Sequence, residues 1–118
     1  MFADPQNVTV NAVAQTLPRV GSSNPTTVGT FKTTDGTYTI DVRQNPTANR
    51  FRREFRLTMK KVATDPISAQ NKEVSASFIL AFDHPKWGFT NTELGYLSAA
   101  VIAAFSNAQR DKLLGGEI

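Results

Sequence analysis

At 118 residues, 40% apolar and 19% charged, the chain suits one small globular domain with a modest core. It has no cysteine, which excludes a disulfide framework and any thiolate metal site and fits a reducing compartment. No apolar run reaches the roughly 18 residues of a membrane span, and MFADPQNVTV lacks the basic and apolar regions of a signal peptide, so a cytosolic origin without a membrane partner is the expectation.

The first half reads as antiparallel β structure. From Asn7 to Gln15 the apolar positions Val8, Val10, Ala12 and Ala14 alternate with Asn7, Thr9 and Asn11. Pro18 restricts Thr16 to Val20 to an edge strand, because its nitrogen has no proton for a ladder. Gly21 to Pro25 (GSSNP) reads as a loop and Thr26 to Thr33 as a strand, and Asp35-Gly36 is a hairpin turn signal.

Three strands with a two-residue period follow. Tyr38, Ile40 and Val42 share one face, with Thr37, Thr39, Asp41 and Arg43 on the other. Phe55, Leu57 and Met59 oppose Glu54, Arg56, Thr58 and Lys60. Val74, Ala76, Phe78, Leu80 and Phe82 oppose Glu73, Ser75 and Ser77. A polar loop is expected at Ala63 to Lys72. Asp83-His84-Pro85-Lys86 reads as a surface turn, and Trp87 and Phe89 as core anchors or a staple at the entry to a helix.

The period then changes. Thr90-Asn91-Thr92-Glu93 fits a capping box, and Leu94, Leu97, Val101 and Phe105 recur at helical spacing. A second short helix is expected from Asn107 to Leu114, stopped by Gly115-Gly116. The fold class is α+β, with helices expected to cover the apolar face of an antiparallel sheet. The polar face, carrying Arg43, Arg56 and Lys60, would then look outward.

Charge is concentrated on that face. The stretch Val42 to Val62 holds Arg43, Arg50, Arg52, Arg53, Arg56, Lys60 and Lys61 against Glu54 alone, a local net of +6 in a chain whose total is +3. Such a stripe is the footprint of a polyanion, since each neutralised phosphate releases a condensed counterion. The bland alternative is a solvated strand face, with Asp41 and Glu54 in cross-strand ion pairs to Arg56 or Arg43. Arg50 and Arg53 are expected off the main basic face, at the turn or rim. The lone His84 cannot make a metal site, and no nucleophile, phosphate loop or metal motif is present, so neither an enzyme, a cofactor nor a small-molecule substrate is expected.

The run VRQNPTANRFRREFRLTMKKVAT resembles the central hairpin of coat proteins of small positive-strand RNA bacteriophages, the levivirus class. The shared pieces are Val42-Arg43-Gln44, Asn49-Arg50, the alternating basic strand Arg52 to Lys60, and Lys61-Val62-Ala63-Thr64. The resemblance implies an N-terminal hairpin within residues 1–21, a five-stranded sheet within 26–83 and two helices within 90–114. It implies an intertwined homodimer whose helices cross onto the partner's sheet. Such dimers would build a T=3 icosahedral virion shell around single-stranded RNA, assembled in the bacterial host cytoplasm, with the loop at 63–72 near the symmetry axes.

The family's RNA contacts fall on Thr39, Arg43, Asn49, Arg52 and Arg56, and the same face adds Thr58 and Lys60. Positions where some members hold serine and threonine are Asp41 and Glu54 here, and a family tyrosine position falls on Glu73. Anions there repel phosphate, and a lost aromatic platform removes roughly 1–3 kcal/mol of stacking. Genome packaging is therefore expected above hairpin-specific translational repression. The competing reading is a small soluble RNA-binding regulator using its basic sheet face.

Overall fold

The computed structural model describes residues 2–20 and 28–118. The expected loop at Gly21 to Pro25 and the first two residues of the expected strand at 26–33 lie outside the described residues. The elements are β1 (Gln6–Val10), β2 (Val13–Leu17), β3 (Arg19–Val20), β4 (Val28–Lys32), β5 (Tyr38–Pro46), β6 (Arg50–Thr64), β7 (Asn71–Pro85), α1 (Asn91–Ala104) and α2 (Asn107–Leu114). They fall into two compact units, Met1–Asp83 and His84–Ile118.

In the first unit, the continuous alternation from Asn7 to Gln15 turns out to be a hairpin. β1 pairs antiparallel with β2, Val10 opposite Val13, so Asn11 and Ala12 alone reverse the chain. Both take left-handed conformations, φ 51° and 62°, as a two-residue turn matched to strand twist requires. Period alone missed this turn because it contains no glycine. Pro18 then ends the hairpin, and only Arg19–Val20 becomes the expected edge strand, pairing with Phe31 and Thr30 of β4.

The main sheet runs β3-β4-β5-β6-β7. The Asp35-Gly36 signal holds: the Asp35 carboxylate accepts from the Thr33 hydroxyl at 2.7 Å and the Thr37 amide at 3.0 Å, and Gly36 has φ 76°. Those two hydrogen bonds, the amide first, hold the Asp35 carboxyl below its ordinary pKa.

The apolar faces match as expected. Phe31 lies opposite Ile40, Ile40 opposite Leu57, and Val42 opposite Phe55. Phe31 and Ile40 are wholly buried together with Leu17 of the N-terminal hairpin, and Val8, Tyr38, Phe55 and Leu57 pack around them. The Arg19 guanidinium lies 4.5 Å over the Phe31 ring, and Gly29 leaves room for it: a Cβ there would stand 3.2 Å from Arg19 Nη1. The hairpin seals this part of the sheet, because a two-stranded ribbon with Val8 and Leu17 facing inward supplies the apolar partner locally.

β6 and β7 are longer than the alternation suggested. The loop expected at Ala63 to Lys72 shrinks to residues 65–70, since Ala63, Thr64, Asn71 and Lys72 extend the two strands. Asp65 organises it, accepting from the Ile67 amide at 2.8 Å and lying 3.0 Å from Lys72 Nζ. His84 and Pro85 continue β7 instead of turning, and the bend falls at 86–88, where Gly88 has φ 97°. Trp87 is 83% exposed and Phe89 is also exposed, so neither is a core anchor within this chain.

In the second unit the Thr90 hydroxyl accepts from the Glu93 amide at 3.2 Å and starts α1 as expected. Ser106 caps α2 in the same way, accepting from Gln109. No residue of either helix is buried. Among the described residues no helix is long and apolar enough to cross a membrane.

The turn gives a direct test. A Cβ in the left-handed region costs roughly 1 kcal/mol relative to glycine, so Ala12→Gly should raise the urea midpoint by an amount equivalent to about 0.5–1 kcal/mol at fixed protein concentration. A lowered midpoint would contradict the turn geometry.

Candidate nucleic-acid interface

The pairing of β5 with β6 assembles the candidate site. Thr39 lies opposite Thr58, Asp41 opposite Arg56, Arg43 opposite Glu54, and Asn45 opposite Arg52. Alternation puts these side chains on the face away from Ile40, Val42 and Leu57. Lys60 extends the row, and its amide bonds the Thr37 carbonyl at 2.8 Å. Six of the expected contact residues, Thr39, Arg43, Arg52, Arg56, Thr58 and Lys60, thus gather on one surface. Asn49 stands apart, exposed in the turn between β5 and β6.

β4 adds residues that sequence reasoning missed. Thr30 lies opposite Asp41 and Lys32 opposite Thr39. Counting the register outward from the Asp35-Gly36 turn would have found both. Asn45 was missed for a similar reason, because β5 runs on to Pro46, beyond the expected strand.

The charge pattern is less free than a +6 stripe suggests. Arg52 Nε donates to Glu54 Oε1 at 2.8 Å, and Arg56 Nη2 lies 3.7 Å from Glu54 Oε2. Arg43 Nη2 lies 4.0 Å from Asp41 Oδ2, whose Oδ1 accepts from the Thr30 hydroxyl at 2.9 Å. The ion pairs therefore run along each strand, between residues i and i+2, and not across the ladder as expected. Long arginine side chains reach a same-face neighbour two residues away as readily as the residue opposite.

Other strands bring further acids. Glu73 of β7 lies 4.0 Å from Lys60 Nζ, and Arg50 donates to Asp83 at 2.9 Å. Arg50 thus has an acid partner, while Arg53, of opposite parity to Arg52, stacks 4.9 Å over the Phe51 ring. Among the described residues Lys32, Arg53 and Lys61 have no acid within 4.0 Å.

Glu54 is the electrostatic centre. The hydrogen bond from Arg52, then the charges of Arg52, Arg56 and Arg43, hold its carboxyl below the ordinary 4.5. The same bond raises the Arg52 pKa. Two donors, Arg43 Nε and Arg56 Nε, are buried without a hydrogen-bond partner among the described residues. An arrangement of this kind offers cations, hydroxyls and acceptors to a polyanion. Among the described residues no group of three or more metal-ligating side chains converges.

No protein-family model and no curated protein matches the chain. Solved structures share the fold. The virus-like particle of bacteriophage AVE019 aligns over 98% of this chain and 97% of its own at a TM-score of 0.77, with 18% identity. The capsid protein of bacteriophage GA aligns over 98% and 95% at 0.63, with 13% identity. The virus-like particle of Beihai levi-like virus 21 aligns over 100% and 98% at 0.66, with 11% identity. This is the coat-protein fold of levi-like phages. The resemblance seen in the central hairpin extends, at the level of fold, over essentially the whole chain. Within that coat-protein fold, this chain sets the acid pair Asp41 and Glu54 among the arginines of β5 and β6.

The pairing predicts a titration. A carboxyl depressed in the folded state contributes stability above its unfolded pKa and loses it as pH falls through the folded value. Glu54 should therefore stay ionised below pH 4.5, followed by carbon-detected NMR. Arg52→Gln should move its midpoint up. An unshifted Glu54 in the parent protein would contradict the hydrogen bond.

Proposed function

We infer that this chain is a structural shell protein that dimerises and assembles into an icosahedral capsid around single-stranded RNA in the host cytoplasm. The observation that carries this reading is the two-sided sheet within a coat-protein fold: cations and hydroxyls on one face, apolar residues on the other. The basic face supplies Arg43, Arg52, Arg56 and Lys60 for phosphates, with Thr39 and Thr58 between them and Asn49 at the hairpin tip. A shell protein has no need of catalytic chemistry, and the site's donor set fits none.

Self-association follows from what one chain leaves uncovered. Phe78, Leu80 and Phe82 of β7 are 38–56% exposed, as are large parts of Tyr96, Leu97, Val101 and Ile102 of α1. A helix apolar around its whole circumference belongs in an interior. Fully burying one such side chain contributes about 1.5–3 kcal/mol, so a second copy covering these residues would be strongly stabilised. A groove of about 210 Å³ between Met59, Lys61, Val74 and Ala76 lies on the same apolar side of the sheet. The homodimer whose helices lie on the partner's sheet supplies that cover.

RNA recognition is read as charge-led packaging. Sheet-based readers of single strands display aromatics on the binding face. Among the described residues the face of Thr39, Arg43, Arg56 and Lys60 has none.

Expression of the chain alone in bacteria, followed by electron microscopy and nucleic-acid extraction, tests the reading. Uniform particles containing host RNA are expected; soluble monomers or dimers at high concentration would favour an RNA-binding regulator instead. Replacing Arg43, Arg52, Arg56 and Lys60 together with glutamine should lower packaged RNA. The slope of log affinity against log salt should also flatten, by roughly 0.7 for each phosphate that is no longer neutralised. Leu97→Asp with Val101→Asp should leave monomers in sedimentation, and intact dimers in that variant would count against helix-mediated pairing.

A further inference from the structure

The middle of the basic face has an arrangement that a simple phosphate binder does not need. Asp41 and Arg43 on β5 stand opposite Arg56 and Glu54 on β6, so charges alternate along and across the strands. This square carries no net charge, and a phosphate centred on it gains little. Further cations stand around it, with Lys32 opposite Thr39, Arg52 beyond Glu54 and Lys60 beyond Thr58; of these Arg52 also bonds Glu54 and Lys60 lies 4.0 Å from Glu73.

Each acid in the square has one anchored oxygen and one uncommitted oxygen. Glu54 Oε1 takes the Arg52 hydrogen bond at 2.8 Å, while Oε2 has only the 3.7 Å contact to Arg56. Asp41 Oδ1 takes the Thr30 hydroxyl at 2.9 Å, while Oδ2 has only the 4.0 Å contact to Arg43. Both longer contacts exceed hydrogen-bond distance. The arginines are likewise incompletely used, since Nε of Arg43 and of Arg56 is buried without a partner among the described residues. A ligand acceptor that drew these guanidiniums outward would relieve an orphaned donor in each.

The matching ligand group presents donors to a carboxylate and an acceptor to the neighbouring guanidinium. Among the RNA bases, guanine alone carries two adjacent edge donors, N1–H and N2–H, with the O6 acceptor beside them. Adenine and cytosine set a bare ring nitrogen next to their amine, and its lone pair would face the carboxylate. Uracil offers one N–H between two carbonyls. Carboxylates thus favour guanine and disfavour the others by repulsion as well as by missing hydrogen bonds.

Resting on the RNA-binding reading of this face, we propose that the square of Asp41, Arg43, Glu54 and Arg56 receives unpaired guanine bases, while the phosphates of the same strand sit on Lys32, Arg52 and Lys60. Hydrogen bonding must supply the discrimination, because among the described residues this face has no aromatic platform. Sequence preference is then set by the two acids and overall affinity by the surrounding cations.

The test uses the full-length protein and fluorescently labelled oligouridines of about ten nucleotides, carrying one central guanosine, adenosine or cytidine, read by anisotropy. One carboxylate–guanine pair should give about ten-fold tighter binding of the guanosine strand than of the adenosine strand. Glu54→Gln should bring the two strands to within about two-fold of each other while binding plain oligouridine as well or better, because it removes a negative charge and supplies an amide that can both donate and accept. Asp41→Asn provides the second variant should the first fail to fold. Equal binding of the three strands by the parent protein would overturn the guanine assignment and leave packaging intact. Failure to bind any strand would overturn both readings.

Discussion

Consecutive rungs of the β5–β6 ladder carry opposite chemistry, and everything else follows from their order. Ile40 opposite Leu57 belongs to the core; Asp41 opposite Arg56 belongs to the charged face. Because side chains alternate strictly along a strand, a slip of one residue would exchange the two surfaces entirely. The register is secured from several sides. The Asp35-Gly36 turn fixes β4 to β5, and Leu17 packs with Phe31 and Ile40 on the apolar side. Arg50 ties the start of β6 to Asp83 near the end of β7. The cations face away from the core because the apolar partner of the sheet lies on its other side.

The folded face is a compensated surface. Along the sequence Glu54 is the only acid among seven bases, yet folding brings Asp41, Glu73 and Asp83 within ion-pair distance of Arg43, Lys60 and Arg50. Exposed pairs of this kind contribute about 0–1 kcal/mol each. Their larger effect is on the ligand, since an incoming phosphate must compete with a carboxylate already in place. On the proposed packaging reading, a surface so organised holds RNA by many moderate contacts and releases it readily as salt rises.

Much of this was legible in the sequence. Two-residue alternation located β5, β6 and β7, the Asp-Gly pair located the turn from β4 into β5, and the Thr90 and Gly115-Gly116 signals bounded the helices. Four features were not legible, each for a physical reason. Asn11-Ala12 reverses the chain without glycine, so alternation runs through the turn unbroken. His84-Pro85 continues β7 because a strand end can hold proline where no ladder bond is needed. The ion pairs run along strands because an arginine side chain is long enough to span the roughly 7 Å between same-face neighbours on one strand. The hairpin covers part of the apolar face because Val8 and Leu17 are close in sequence to the strands they seal. Of the candidate site, the basic strand was evident, whereas Thr30, Lys32 and Asn45 required the register. The helices pose the same difficulty in another form: Leu97 and Val101 read as packing residues, but their exposure shows that packing is not completed within one chain.

Which way the charged face points in the assembled state is measured most directly by a cryo-electron microscopy reconstruction of particles formed by this chain. The side chains of Arg43, Arg56 and Lys60 should line the inner surface against RNA density, with the helices on the opposite side of the sheet. A reconstruction placing those cations on the outer surface, or beneath the helices of either copy, would contradict the two-sided sheet as the basis of packaging.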